Sequence, residues 1–259
     1  MSEAARGRTA PTCAIAVMAK ASIPGSVKTR LVPPLSPEQA ARLNTAFLRD
    51  AGETLLAAAR LADIKGSMAY APAGSADFFR GILPGGVDLI ETAAADLGGC
   101  LLHAATTLLN AGHASVCLLS SDNPTLPAGY LVAAATLLAE DGDRAVVGPS
   151  TDGGYYLIGI KRAHRRLFDG IAWSSEHVLR QTLARADELG LPIATLPTWY
   201  DVDDLDTLRV LVGELLDDTP FRTVDRDAAP APFTRRCLRE LRDACAALAP
   251  RAGSHAGQR

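Results

Sequence analysis

Short apolar runs alternate with amphipathic stretches along most of this chain, and that alternation limits the folds open to it. "CAIAVMA" (13–19) and "ASVCLLSS" (114–121) read as buried strands. Further strands are expected at "IKGSMAYA", "GVDLIE", "DRAVVGPS", "GYYLIGI" and "PIATLP". Helical segments fall between them. The clearest begins at Ser36, where Ser36 can cap, Pro37 suits the first helical position and Gln39 completes a capping box. Ala40, Leu43, Phe47, Ala51 and Leu55 then recur at helical spacing. Later helices are predicted near 174–189 and from about Asp203 to Leu215. Strands alternating with helices imply a mostly parallel sheet covered on both faces. Only a Gly-rich turn separates "DRAVVGPS" from "GYYLIGI", so that pair reads as a hairpin that adds an antiparallel strand.

The 259 residues suit one large α/β domain or two small ones. The expected division is a disordered tail over 1–11, the α/β domain over 12–216, and a C-terminal region over 217–259. That region holds an Asp-, Ala- and Pro-rich linker, one amphipathic helix ("FTRRCLRELRDACAAL") and a disordered end. Formal net charge is -3, so no global basic field recruits nucleic acid or an anionic membrane. Five cysteines without a CxxC pattern read as reduced thiols, and the five histidines lack ligand spacing. No apolar signal core or membrane-spanning run is present, which makes the cytoplasm the default expectation.

In an open parallel sheet, ligands bind beyond the carboxyl ends of the strands, and the polar clusters of this sequence fall there. The first is "KASIPGSVKTR" (20–30), with three cations and no acid. Lys28 and Arg30 could bind phosphates, with Pro24 and Gly25 bending the backbone toward the anion. A solvated surface loop would look the same in isolation. The second is "SSDNPTLP", which places Asp122 at a strand end, as a ligand or as a turn residue. The third is "STDGGYY", where Gly153 and Gly154 serve a hairpin turn or a close approach, and one of Tyr155 and Tyr156 is expected to pack in the core. Trp173 and Ser174 could line an acceptor pocket, although a helix cap is the favoured role for Ser174 or Ser175. The fourth is "DVDDLD" (201–206). Alternation points Asp201 and Asp203 to one side and Val202 to the core, with Asp204 or Asp206 at the helix start. So many carboxylates repel unless a cation offsets them, and Mg²⁺ held by one or two carboxylates plus phosphate oxygens would do so.

Together, "MAKASIPGSVKTRL", "SSDNPTLP", "GPSTDGGYYLIGI", "IAWSSEHVL" and "DVDDLDTL" resemble, in order, the motifs of a bacterial family of GT-A-like proteins of unknown function. The resemblance spans roughly 13–215. More distantly the chain is similar to phospholactate guanylyltransferase and the molybdenum-cofactor nucleotidyltransferases. The implied fold is a Rossmann-like GT-A (nucleotide-diphospho-sugar transferase) fold, a mostly parallel mixed sheet with helices on both faces. The implied activity is nucleotidyl or glycosyl transfer with Mg²⁺ or Mn²⁺, between an NTP or NDP-sugar and a small-molecule acceptor. By that similarity Lys28, Arg30 and Asp122 carry catalysis. Ala19, Lys20, Gly25, Asp96 and Gly98 join Lys28 and Arg30 around the nucleotide. Asp152, Gly153, Gly154, Tyr155, Trp173 and Ser174 face the acceptor. Asp122 and Asp203 hold the metal, with Asp201 assisting. Two departures stand out: Asp204 and Thr207 occupy positions where relatives tend to read Thr and Asp, and "ADLGG" (95–99) lacks a charged residue after the Gly. A homodimer remains open. A different class, a non-catalytic nucleotide-binding module docking through the helix at 233–248, is disfavoured, because binding phosphates does not require acidic ligands from two separate loops.

Overall fold

In a computed structural model, seven strands form one sheet: β1 (Cys13–Lys20), β2 (Ile64–Ala71), β3 (Asp88–Glu91), β4 (Ser115–Ser120), β5 (Ala145–Pro149), β6 (Tyr155–Ile160) and β7 (Ile193–Thr195). The structure describes residues 13–92, 94, 96–217, 219, 221 and 228–244. The N-terminal tail, part of the linker and the C-terminal end lie outside these residues. The sheet order is β3-β2-β1-β4-β6-β5-β7. Strand β6 runs antiparallel to both neighbours, while β1–β2, β1–β4, β2–β3 and β5–β7 pair in parallel. The expected hairpin is thus present, and it reverses one strand inside an otherwise parallel sheet.

Alternation along β1 divides the core. Cys13, Ile15, Val17 and Ala19 face one apolar cluster, and Ala14 and Ala16 face the other. The larger side chains meet α1 (Pro37–Leu61), α4 (Ala128–Ala139), α6 (Leu205–Leu216) and α7 (Pro232–Ala244), with α2 (Ala76–Ile82) at the edge. The alanine face receives α3 (Leu97–Asn110) and α5 (Val178–Leu189). Helix α1 starts as its sequence dictates. Ser36 Oγ accepts from Gln39 N at 3.2 Å, and Ser36 N donates to Gln39 Oε1 at 2.7 Å. Among the described residues no helix is long and apolar enough to cross a membrane.

One expectation needs correction. The helix predicted near 174–189 begins at Val178, and no side chain caps it. Ser175 Oγ instead donates to Ala172 O and accepts from His177 N, closing a turn ahead of the helix, while Ser174 is left-handed at φ 63°. The helix named in the disfavoured docking alternative is α7. Its apolar residues Cys237, Leu238 and Leu241 are buried in this chain's own core.

The clasp that holds α7 was not visible in the sequence. Asp50 on α1 is buried, and its two oxygens accept from Phe233 N at 3.2 Å and Thr234 N at 2.7 Å. It therefore caps α7 from another helix, and Arg49 lies 3.8 Å over the Phe233 ring beside it. Burial raises the Asp50 carboxyl above the ordinary range, and the hydrogen bonds at Thr234 and Phe233 oppose that. Asp50→Ala should cost about 2–4 kcal/mol in urea unfolding, because two helix-terminal donors lose their partner. Asp50→Asn should recover part of it. An alanine variant as stable as the parent would mean the clasp is idle.

Candidate active site

The four polar loops meet at one sheet edge, around a cavity of about 840 Å³. Of the residues singled out from the sequence, Ala19, Lys20, Lys28, Arg30 and Asp96 line it. So do Asp122, Asp152, Gly154, Tyr155, Trp173, Ser174, Asp201 and Asp203. Gly25, Gly98 and Gly153 are not among its lining residues.

The basic loop is a type II turn followed by a 3-10 turn. Ser26 N donates to Ile23 O at 3.0 Å, and Gly25 supplies φ 77°. Lys28 is left-handed at φ 49° where the 3-10 turn over Thr29–Leu31 begins. Such backbone is uncommon for a residue with a Cβ and costs about 1–2 kcal/mol. Lys20 and Arg30 stay exposed at the rim. Lys28 does not, since its side chain is 4% exposed. Its ammonium lies 2.6 Å from Asp122 Oδ1 and 3.3 Å from Asp203 Oδ1, and donates to Val202 O at 2.7 Å. The Phe47 ring centroid is 5.3 Å away. The loop's start is tied to α1 by Asn44, whose Nδ2 donates to Ser22 Oγ at 2.9 Å and Lys20 O at 3.3 Å.

Main-chain bonds set the carboxylates in place. Val202 N donates to Asp122 O at 3.0 Å, and Asn123 Nδ2 donates to Tyr200 O at 2.6 Å. Thr151 N donates to Trp199 O at 3.0 Å, so the last loop is zipped to the ends of β4 and β5. Val202 is fully buried, and the alternation expected of "DVD" holds. Asp201 and Asp203 nonetheless have different surroundings. Asp201 is engaged at both oxygens, by Asn123 Nδ2 and by Ser150 Oγ. Burial pushes its carboxyl up to about 7, and the charges of Asp122 and Asp152 add to the rise. Burial also raises Asp203, with Lys28 pulling the other way. Asp204 caps α6 in a reciprocal box with Thr207, and those bonds hold its carboxyl below the ordinary range.

The remaining wall comes from four close approaches. Asp96 caps α3 by accepting from Gly99 N at 2.7 Å. A Cβ on Gly98 would lie 2.9 Å from Trp173 Nε1, so only glycine lets the indole rest on the first turn of α3. Asp152 Oδ1 accepts from Gly154 N at 2.9 Å, which shapes the β5–β6 turn. Gly153, at φ 89°, is pressed against residue 176, with 2.4 Å left between its would-be Cβ and Glu176 O. Tyr156 enters the core and donates to Pro197 O at 2.9 Å, and both it and Tyr155 reach the cavity wall. Sequence reasoning did not single out Asn44, Ser150 or Asn123 for the site, and it read Phe47 only as part of the apolar stripe of α1. Only Asn123 carried a local signal, its place beside Asp122; the others act through contacts distant in sequence.

Among the described residues, no three His, Cys, Asp or Glu side chains converge into a ready metal cage. The donor set fits a different arrangement. Asp122 and Asp203 already share one cation, the Lys28 ammonium, and magnesium sites typically use one or two carboxylates and complete their shell with water and phosphate.

The chain is a transferase of the nucleotide-diphospho-sugar class in its fold. It is similar to a protein from Desulfovibrio desulfuricans G20, provisionally named a nucleotide-diphospho-sugar transferase, at 30% identity over 91% of this chain and 96% of that one, with a TM-score of 0.75. Residues 54–175 match a family described as uncharacterized protein conserved in bacteria (DUF2064), and the chain belongs to that family. The fold extends to a cytidylyltransferase from Leptospira borgpetersenii, at 12% identity over 94% and 99% of the two chains, with a TM-score of 0.53. It extends also to a CMP:2-keto-3-deoxy-manno-octonic acid synthetase complexed with CTP, at 13% identity over 80% and 99%, with a TM-score of 0.50. No curated protein matches the chain in sequence.

Proposed function

We propose that this transferase is a Mg²⁺-dependent nucleotidyltransferase acting on an NTP and a small hydroxylated or phosphorylated acceptor. The observation that carries the reading is the pairing of Asp122 and Asp203 around one cation, beside a basic turn, at the edge of a cavity large enough for two substrates. In the reaction, an acceptor oxygen attacks the α-phosphorus, the bond from that phosphorus to the α–β bridging oxygen breaks, and pyrophosphate leaves. A divalent ion held by Asp122 and Asp203 would neutralise charge on the departing phosphates. Arg30 and Lys28 bind phosphate oxygens, Arg30 through its bidentate fork. Asp201 keeps the loop of Asp203 in register with Asn123 and Ser150, so it positions rather than coordinates. Trp173, Tyr155 and the Asp152–Gly154 turn orient the acceptor. The protein's work is placement and charge compensation, with little covalent chemistry.

Glycosyl transfer from an NDP-sugar is the second reading, favoured by the name of the 30%-identical relative. A thermal-shift screen of NTPs and NDP-sugars with and without Mg²⁺ separates the two. An NTP at a hundredfold excess over its Kd should raise Tm by roughly 5–10 °C, only with Mg²⁺ present. Stabilisation by NDP-sugars alone would hand the site to the second reading.

A further inference from the structure

Lys28 raises a difficulty for any metal-dependent reading. Its ammonium has three N–H bonds and three oxygens around it: Asp122 Oδ1 at 2.6 Å, Asp203 Oδ1 at 3.3 Å and Val202 O at 2.7 Å. Phe47 flanks it at 5.3 Å, and the side chain is 4% exposed. Three oxygens crowd the ammonium and water is nearly excluded. A hard divalent ion that took these same carboxylate oxygens would need the ammonium's place. Such an ion sits about 2.1 Å from its oxygen ligands, so it and an ammonium cannot share this seat.

We infer that Lys28 is the resident cation of the site, and that a divalent ion takes its place only as a metal–nucleotide chelate. The inference rests on the reading of Asp122 and Asp203 as metal ligands. A bare hydrated ion would have to shed water and expel a buried ammonium that has nowhere to go. A chelate removes both obstacles. Its phosphate oxygens complete the metal's shell, and they give the displaced Lys28 a new anion to pair with. The lysine stem, with its rotatable bonds, can follow the phosphates while the turn behind it stays fixed. The substrate is therefore a magnesium-bound di- or triphosphate, and free metal is a poor ligand.

The test is Mn²⁺ titration followed by electron paramagnetic resonance, on the full chain without nucleotide. The parent should bind Mn²⁺ alone weakly. Lys28→Met and Lys28→Gln should each bind it about tenfold tighter or more, since a unit charge beside a divalent ion in a partly buried site is worth at least a decade of affinity. Adding Asp122→Asn to Lys28→Met should abolish the gain. A parent that binds Mn²⁺ alone as tightly as the folded variants overturns the inference. Should both variants fail to fold, the parent's lysine ammonium resonances decide. Mg²⁺ with inorganic tripolyphosphate should move the Lys28 signal and Mg²⁺ alone should not, and movement on Mg²⁺ alone overturns the inference. If nucleotides fail to stabilise the parent while tripolyphosphate still moves Lys28, the reaction reading falls and the resident cation stands. If nucleotides stabilise the parent with Mg²⁺ and the folded variants gain no Mn²⁺ affinity, the resident cation falls and the reaction reading stands.

Discussion

Asp122→Asn should lower turnover by about a thousandfold or more, the scale seen when a group that stabilises transition-state charge is removed. Its thermal melt should stay within a few degrees of the parent. The two outcomes separate because Asp122 holds its loop through groups that the substitution keeps. Its backbone oxygen accepts from Val202 N and its backbone N donates to Ser120 Oγ. Lys28 retains Asp203 and the Val202 carbonyl. What asparagine removes is the negative charge, on a side chain 29% exposed to the cavity. Steady-state rates beside a melting curve check the prediction. A variant that turns over at the parental rate would leave Asp122 as a turn residue.

Gly153→Ala should be the most destabilising single change in the site, at about 3–5 kcal/mol, combining a positive-φ penalty with a steric clash. The added Cβ would meet Glu176 O at 2.4 Å, Glu176 Cα at 2.8 Å and Glu176 C at 2.9 Å. All three are main-chain atoms, and no rotamer change can clear them. Leu179 N donates to Gly153 O at 3.0 Å, so moving the turn away from residue 176 also strips a hydrogen bond at the start of α5. The neighbouring Gly154→Ala is the control. Its Cβ would meet only the Asp152 carboxylate, at 3.2 Å, and that side chain can swing away. The expected drop in Tm is roughly 10 °C for Gly153→Ala and a small part of that for Gly154→Ala. Equal melting of the two variants would remove the packing argument.

What could be read from the sequence was whatever local chemistry decides. The apolar runs of β1 and β4, the capping box at Ser36, the reversed β6 and the buried Val202 all follow from neighbours within a few residues. The site was legible as a set of loops, because strand ends in such a sheet share one edge. Its internal partnerships were not. Lys28 read as a cation in an open basic loop, and only its contacts with Asp122 and, 175 residues away in sequence, with Asp203 show it buried between acids. Asp201 and Asp203 looked equivalent by alternation, and Ser150 and Asn123 distinguish them from outside the motif. Asp50 gave no hint of capping, since its helix is 183 residues further on. The start of α5 was placed too early because the hydroxyls of "WSSEH" suit a cap as well as they suit the turn that forms.

The zipper between the last loop and the ends of β4 and β5 also bears on assembly during synthesis. Lys28 emerges early, waits for Asp122, and finds its carbonyl partner only when Val202 has been made. Closing so long a loop is entropically costly, and the cost is recovered only once the final contacts form. No contiguous stretch of the chain carries a working fraction of the site. A fragment ending before residue 201 would hold the basic turn and the first carboxylate, yet would leave Lys28 with one of its three oxygen partners. The chemistry thus belongs to the finished fold alone, and an incomplete chain has no partial competence to misuse.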